Sequence, residues 1–156
     1  MQTNDMSLQT IKEIGISVRS FLEDIRPKTP WGCTLDGACA VGAFLTCDLL
    51  QSISIQSTMV VGSGSRIGHC WVECQVGKQT VVLDTTATQF ICRIEPVLVL
   101  PEEDYKKLAF YKDIETKVFV KDEIDLFNAL QDWPDEQKPS YYREEIYDSF
   151  GFWIDS

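Results

Sequence analysis

The stretch from Cys39 to Leu50 limits most tightly what this chain can fold into. Nearly every position in it is small or apolar: Ala40, Val41, Ala43, Phe44, Leu45, Cys47, Leu49 and Leu50. A helix that is apolar almost all round offers no face to water, so it must be buried on most sides. The run is too short for the ~20 residues of a membrane span. The rest of the chain therefore has to wrap it. Asp36-Gly37 supplies a turn just before it, which puts Cys39 at or near the first turn of a central helix.

What flanks this helix is readable from periodicity. Leu8, Ile11, Ile14, Val18, Phe21, Leu22 and Ile25 recur at helical spacing with Lys12, Glu13, Arg19 and Glu23 between them. That pattern predicts an amphipathic helix with Ser7 as N-cap, stopped at Pro27-Lys28-Thr29-Pro30. Ile55 to Val61 alternates as a strand and ends at Gly62-Ser63-Gly64-Ser65. His69 to Val76 reads as a second strand, and Gly77-Lys78 turns it into a third over Thr80 to Asp84. Further strands are expected over Pro96 to Leu100 and Thr116 to Lys121, with a short helix over Glu102 to Leu108. Helices over Asp122 to Leu130 and Pro139 to Phe150 close the chain. A length of 156 residues fits one domain with a sizeable core, and no linker, repeat or low-complexity run divides it. The expected class is α+β: an antiparallel sheet of about four to six strands packed on the helix that Cys39 opens, as a single domain over residues 1–156.

Chemistry concentrates on three residues of this frame. Unpaired N–H groups at a helix N-terminus favour an anion, so a thiol there is drawn toward thiolate, and the same groups can donate to an oxyanion. Cys39 holds that position. His69 is the only histidine, and histidine is the usual general base near neutral pH. The Gly77-Lys78 hairpin brings Asp84, at the end of one strand, beside His69 at the start of its neighbour. Alone, each residue has a plainer reading: a small core cysteine, a structural histidine, a strand-end carboxylate capping a turn. Together, in order, they are the parts of an activated cysteine nucleophile.

Other readings are narrower. The six cysteines (33, 39, 47, 70, 74 and 92) form no CxxC pair, which weakens zinc and thioredoxin-type readings. His69 and Cys70 point to opposite faces of a strand, and Cys70 and Cys74 lie roughly 13 Å apart along it, so these three cannot share one metal. No metal or cofactor is expected. A redox role for Cys39 would need a resolving cysteine, and Cys33 is the nearest in sequence. The formal charge is −10, of which −8 falls from Pro101 onward, where 7 Lys and Arg meet 15 Asp and Glu. That acidity disfavours nucleic acid and anionic membranes and suits a basic protein partner, with solubility alone the simpler account. Met1 to Asp5 is polar and resembles no secretory signal, so a reducing, cytoplasmic setting is expected, with delivery as a secreted effector left open.

Residues 37–90 resemble the transglutaminase-like branch of the papain-fold cysteine enzymes. In that family a Gly-x-Cys opens a buried helix, here Gly37 and Cys39, followed by a small residue, Ala43, and a Leu-Leu pair, Leu49-Leu50. An isoleucine at a strand start and a glycine at its close fall at Ile55 and Gly62. The His-x-Trp-x-Glu strand is His69-Cys70-Trp71-Val72-Glu73, and the Asp-x-Thr turn is Asp84-Thr85-Thr86. Ser54 stands where the family often has glycine, and Thr85 where proline is usual. No Asn or Gln lies between Pro27 and Ala38, so the glutamine of papain-like oxyanion holes is missing, and Trp31 or the Thr34 hydroxyl is the candidate to serve beside the Cys39 N–H. Trp71 is a further substrate-binding candidate.

The resemblance implies a Cys39–His69–Asp84 triad that performs acyl transfer at an amide through a thioester. Protein-glutamine deamidation or transamidation is the first expectation, and papain-like peptide-bond hydrolysis the second. A catalytically silent protein-binding module on the same fold is the rival from another class, supported by the acidic, aromatic C-terminal third. In each case a protein or peptide is the partner.

Overall fold

The computed structural model describes residues 3–33, 35, 37–62, 69–89, 95–105 and 114–118, together with Asn128 and Glu144. Within these, α1 spans Thr3–Ile25 and α2 spans Cys39–Ser52. Five strands follow: β1 (Ser57–Gly62), β2 (His69–Val76), β3 (Gln79–Asp84), β4 (Leu98–Pro101) and β5 (Ile114–Val118). A short α3 (Glu102–Tyr105) lies between the last two. The class is α+β. All pairings are antiparallel, and the sheet order is β4-β3-β2-β1-β5.

The apolar character of α2 has a direct cause. Ala40, Ala43, Phe44, Cys47 and Leu50 share one core cluster with Met59, Val61, Cys70, Val72, Cys74 and Leu83 of the sheet. Ala38, Val41 and Leu45 share another with Val18, Phe21, Leu22 and Ile25 of α1. The helix packs against both α1 and the sheet and buries a stripe against each. Fully burying a side chain such as Leu22 or Leu50, both 0% exposed, contributes about 1.5–3 kcal/mol relative to leaving it in water. Few positions remain for polar residues, and Asp48 and Ser52 are the exposed exceptions.

Element boundaries shift in informative ways. The first helix begins at Thr3, so Ser7 lies inside it rather than capping it. It ends at Ile25, where Pro27 enters a 3-10 turn over Arg26–Lys28. At the end of α2 the Ser54 N–H bonds Gln51 O at 3.0 Å and the Ile55 N–H bonds Leu50 O at 2.9 Å. These are the paired bonds of a Schellman cap, and they require a left-handed residue between them. Ser54 is that residue, with φ 65°, and the cap delays β1 to Ser57. Gly77, with φ 63°, makes the β2–β3 turn, and Val76 pairs with Gln79 across it. The third strand therefore starts one residue before the expected Thr80, at Gln79.

The fourth and fifth strands sit close to their expected places, at Leu98–Pro101 and Ile114–Val118. Residues 106–108 of the expected third helix and 119–121 of the last strand lie outside the described residues. So do the helices expected over 122–130 and 139–150, apart from Asn128 and Glu144, each exposed and helical.

Candidate active site

The site forms where the N-terminus of α2 meets the start of β2 and the end of β3. Cys39 is the first residue of α2. Its N-cap, Ala38, has φ −89° and ψ −4° and provides no capping side chain. The first-turn N–H groups thus receive no cap from that residue, and their partial positive charge stays beside the thiol.

His69 begins β2 and Asp84 ends β3, the strand paired with it. The imidazole Nε2 lies 2.6 Å from Asp84 Oδ2, and both side chains are almost wholly buried. The second carboxylate oxygen, Oδ1, accepts the Thr86 backbone N–H at 2.8 Å and the Thr86 hydroxyl at 3.4 Å. Asp84 therefore caps the following turn and orients the histidine at once. With Nε2 committed to Asp84, Nδ1 is the ring nitrogen left for the Cys39 sulfur, which helps to raise the imidazole.

Trp71 follows His69 by two residues, on the same face of the strand. Its indole stacks on the imidazole with centroids 5.6 Å apart and planes at 27°. An aromatic face attracts a cationic ring, so the contact suits a protonated His69. Trp71 is buried with Val60, Val82, Ala87 and Leu98, and in this position it supports the imidazole.

The electrostatics single out one thiol. Cys39 is lowered from 9.0 to about 5. The chief cause is a hydrogen bond from the Cys70 thiol. Burial opposes it, and the hydrogen bond and positive charge of His69 and the Cys70 backbone N–H add to it. His69 moves the other way. Burial pushes it down, but the charge and hydrogen bond of Asp84, joined by those of Cys39, outweigh burial and raise it from 6.5 to about 10. Cys47 and Cys74 are pushed up to about 12 by burial, and Cys70 well above the ordinary thiol range by burial and by Cys39. These opposed shifts favour a thiolate–imidazolium pair at neutral pH, and among the described buried thiols only Cys39 is shifted toward ionisation.

Two supports of this geometry escape inspection of the sequence. Arg19, buried on α1, donates from Nη1 to Thr85 O at 3.1 Å, Thr88 Oγ1 at 2.8 Å and Pro96 O at 3.4 Å. It pins the turn that follows Asp84 to the first helix. Its neighbours Val18, Phe21 and Leu22 mark the apolar face it borders, which was the available signal. Gly42, on α2 one turn after Cys39, gives the close approach: a Cβ there would lie 2.6 Å from Thr85 Oγ1.

Of the other predicted residues, Trp31 is buried beside Leu35, Ala38 and Val41, next in the core to the residue preceding Cys39. Thr34 lies outside the described residues. Cys33 is exposed, and the five described cysteines are all free thiols. Among the described residues no group of three or more His, Cys, Asp and Glu is placed to hold a metal ion, and no helix is long and apolar enough to cross a membrane. Family models, curated proteins and solved structures were compared with the chain, and none matches.

Proposed function

We propose that this chain is a cysteine-nucleophile enzyme on a transglutaminase-like core, performing acyl transfer at an amide through a thioester. The observation that carries the reading is the buried 2.6 Å bond between His69 and Asp84, formed where Cys39 opens α2; there the thiol is drawn down to about 5 and the imidazole up to about 10. A thiolate already paired with its acid needs no proton transfer before attack.

In this mechanism the Cys39 sulfur attacks the amide carbon, and the Cys39 N–H at the head of α2 stabilises the oxyanion, with Trp31 or Thr34 as the second candidate donor. His69 gives its proton to the departing nitrogen as the C–N bond breaks, leaving a thioester. Asp84 holds the imidazole in orientation and stabilises its cationic form throughout. Water then releases the acid, or an amine forms a new amide. Deamidation or transamidation of protein glutamine ranks above peptide-bond hydrolysis because the upstream glutamine of papain-like proteases is missing. The acidic C-terminal third suits a basic protein as substrate or partner.

Mass analysis of candidate basic proteins after incubation tests this. A gain of about one dalton per site marks deamidation, ammonia loss on joining marks crosslinking, and fragments mark cleavage. No change in any of them with wild-type protein, under conditions where Cys39 alkylates fast, would sink the enzyme reading. The binding-module reading would then lead. One observation already favours that rival: Cys39, His69 and Asp84 are 2%, 0% and 2% exposed, so a substrate reaches the sulfur only if surrounding groups move aside.

A further inference from the structure

The acyl-transfer scheme leaves one group at the reacting sulfur without a chemical task, the Cys70 thiol. Cys70 follows His69 on β2, and the strand pleat turns it to the opposite face, toward α2. There it is buried in the same cluster as Cys39, the two being 1% and 2% exposed. It lies close enough there for its thiol and backbone N–H to be among the groups that draw the Cys39 thiol down. The other cysteines are placed differently. The Cys74 thiol bonds Val81 O at 3.6 Å, Cys47 lies two turns further along α2 than Cys39, and Cys33 is exposed. Cys33 is the nearest cysteine to Cys39 in sequence, but it is exposed, whereas Cys70 is buried in the same cluster as Cys39.

We propose that Cys39 and Cys70 form a reversible disulfide, a modification site at which a hydroperoxide oxidises Cys39 and Cys70 resolves the product. In the first step the Cys39 thiolate attacks the outer oxygen of hydrogen peroxide. An S–O bond forms, the O–O bond breaks, and the departing hydroxide takes the His69 proton to become water. Cys39 is then a sulfenic acid. In the second step the Cys70 sulfur attacks the Cys39 sulfur, forming the S–S bond as the S–O bond breaks. The Cys70 proton leaves with the hydroxide as a second water. Two thiols are oxidised by two electrons, and one peroxide is reduced to two waters. A small dithiol reverses the change by thiol–disulfide exchange. The disulfide removes the nucleophile without exposing it to the irreversible sulfinic and sulfonic stages. Hydrogen peroxide suits the enclosed site because it is close to water in size.

The inference rests on Cys39 being the thiolate of the proposed function, but not on acyl transfer. The test treats the reduced protein with stoichiometric hydrogen peroxide, alkylates the remaining thiols, and maps peptides without reduction. The expected result is a Cys39–Cys70 cross-linked peptide with loss of Cys39 alkylation, both reversed by dithiothreitol. Cys70→Ser and Cys70→Ala should lose the cross-link and leave Cys39 as a sulfenic acid trapped by dimedone. Wild-type Cys39 that pairs with Cys33, or advances to sulfinic acid while Cys70 stays free, overturns the inference. Parallel iodoacetamide labelling of untreated protein separates the two readings. Cys39 labelling with an acid midpoint but no cross-link overturns the disulfide alone, and labelling with the ordinary thiol midpoint of about 8.5 without it overturns the reactive thiolate as well.

Discussion

At the scale of single residues the site is two opposed titrations in one contact. Iodoacetamide labelling of the folded, reduced protein, mapped by cysteine, should show Cys39 reacting with a midpoint near pH 5, while Cys47 and Cys74 stay inert until far higher pH. His69→Ala removes the imidazolium but leaves Cys70, so it should raise the thiol's midpoint part of the way and slow labelling at pH 6 by roughly tenfold for each pH unit of that rise. Equal rates for wild type and variant would refute the ion pair. Stability follows with opposite signs for the partners. Cys39 is lowered in the fold, from 9.0 to about 5, so its contribution is full above pH 9 and is lost as pH falls through 5. His69 is raised, from 6.5 to about 10, so its contribution is full below pH 6.5 and is lost as pH rises through 10. The melting-temperature difference between wild type and Cys39→Ala should change toward acid, and that for His69→Gln toward alkali. A His69→Gln difference that stays flat from pH 7 to 10 would count against the raised imidazole. The sequence pointed to these residues because a lone histidine and a hairpin-linked aspartate leave few alternatives. Cys70 was out of its reach, since contact between a strand and the head of a helix depends on how the two elements are packed.

At the scale of elements the hairpin and the buried helix were the most legible parts. Gly77-Lys78 fixes the β2–β3 register, and that register brings Asp84 to His69. Boundaries set by backbone conformation were less legible, because Ser54 carries no mark of its left-handed φ of 65°. A left-handed L-residue costs about 1–2 kcal/mol, while glycine gives back about 0.5–1 kcal/mol as chain entropy. Ser54→Gly should therefore stabilise by about 0.5–1 kcal/mol and raise the melting temperature by about 1–4 °C. A lowered melting temperature would show that the serine compensates in another way. Gly42→Ala should act in the opposite direction. Its Cβ would meet Thr85 Oγ1 at 2.6 Å and Leu22 Cδ1 at 3.2 Å. Overpacking of this kind costs about 1–3 kcal/mol, more than the ~1 kcal/mol a helix gains from alanine over glycine. Slower Cys39 labelling should accompany the loss, because Thr85 adjoins Asp84. Unchanged stability and labelling together would mean that the turn has room to yield.

At the scale of the whole molecule the site depends on three elements distant in sequence. Arg19 of α1 pins the turn after β3, which holds Asp84, which in turn holds His69 against the head of α2. The sequence placed Arg19 among the polar residues of an amphipathic helix, and nothing local marked the three acceptors gathered around it. Arg19→Leu should cost about 2–4 kcal/mol, since it removes charge-assisted bonds and leaves buried oxygens without a donor. It should also reduce the acid labelling of Cys39, although the two residues are a helix apart in the chain. Full stability and labelling in that variant would remove Arg19 from the site's support. The division of the triad between hairpin and helix also governs the order of events as the chain folds. His69 and Asp84 can meet as soon as one tight turn closes, a local event on the microsecond scale. Cys39 joins them only when α2 docks on the sheet, a contact of longer range that forms more slowly. Until that docking its thiol has neither imidazolium nor Cys70 beside it, so the nucleophile of the proposed function is switched on by completion of the fold itself.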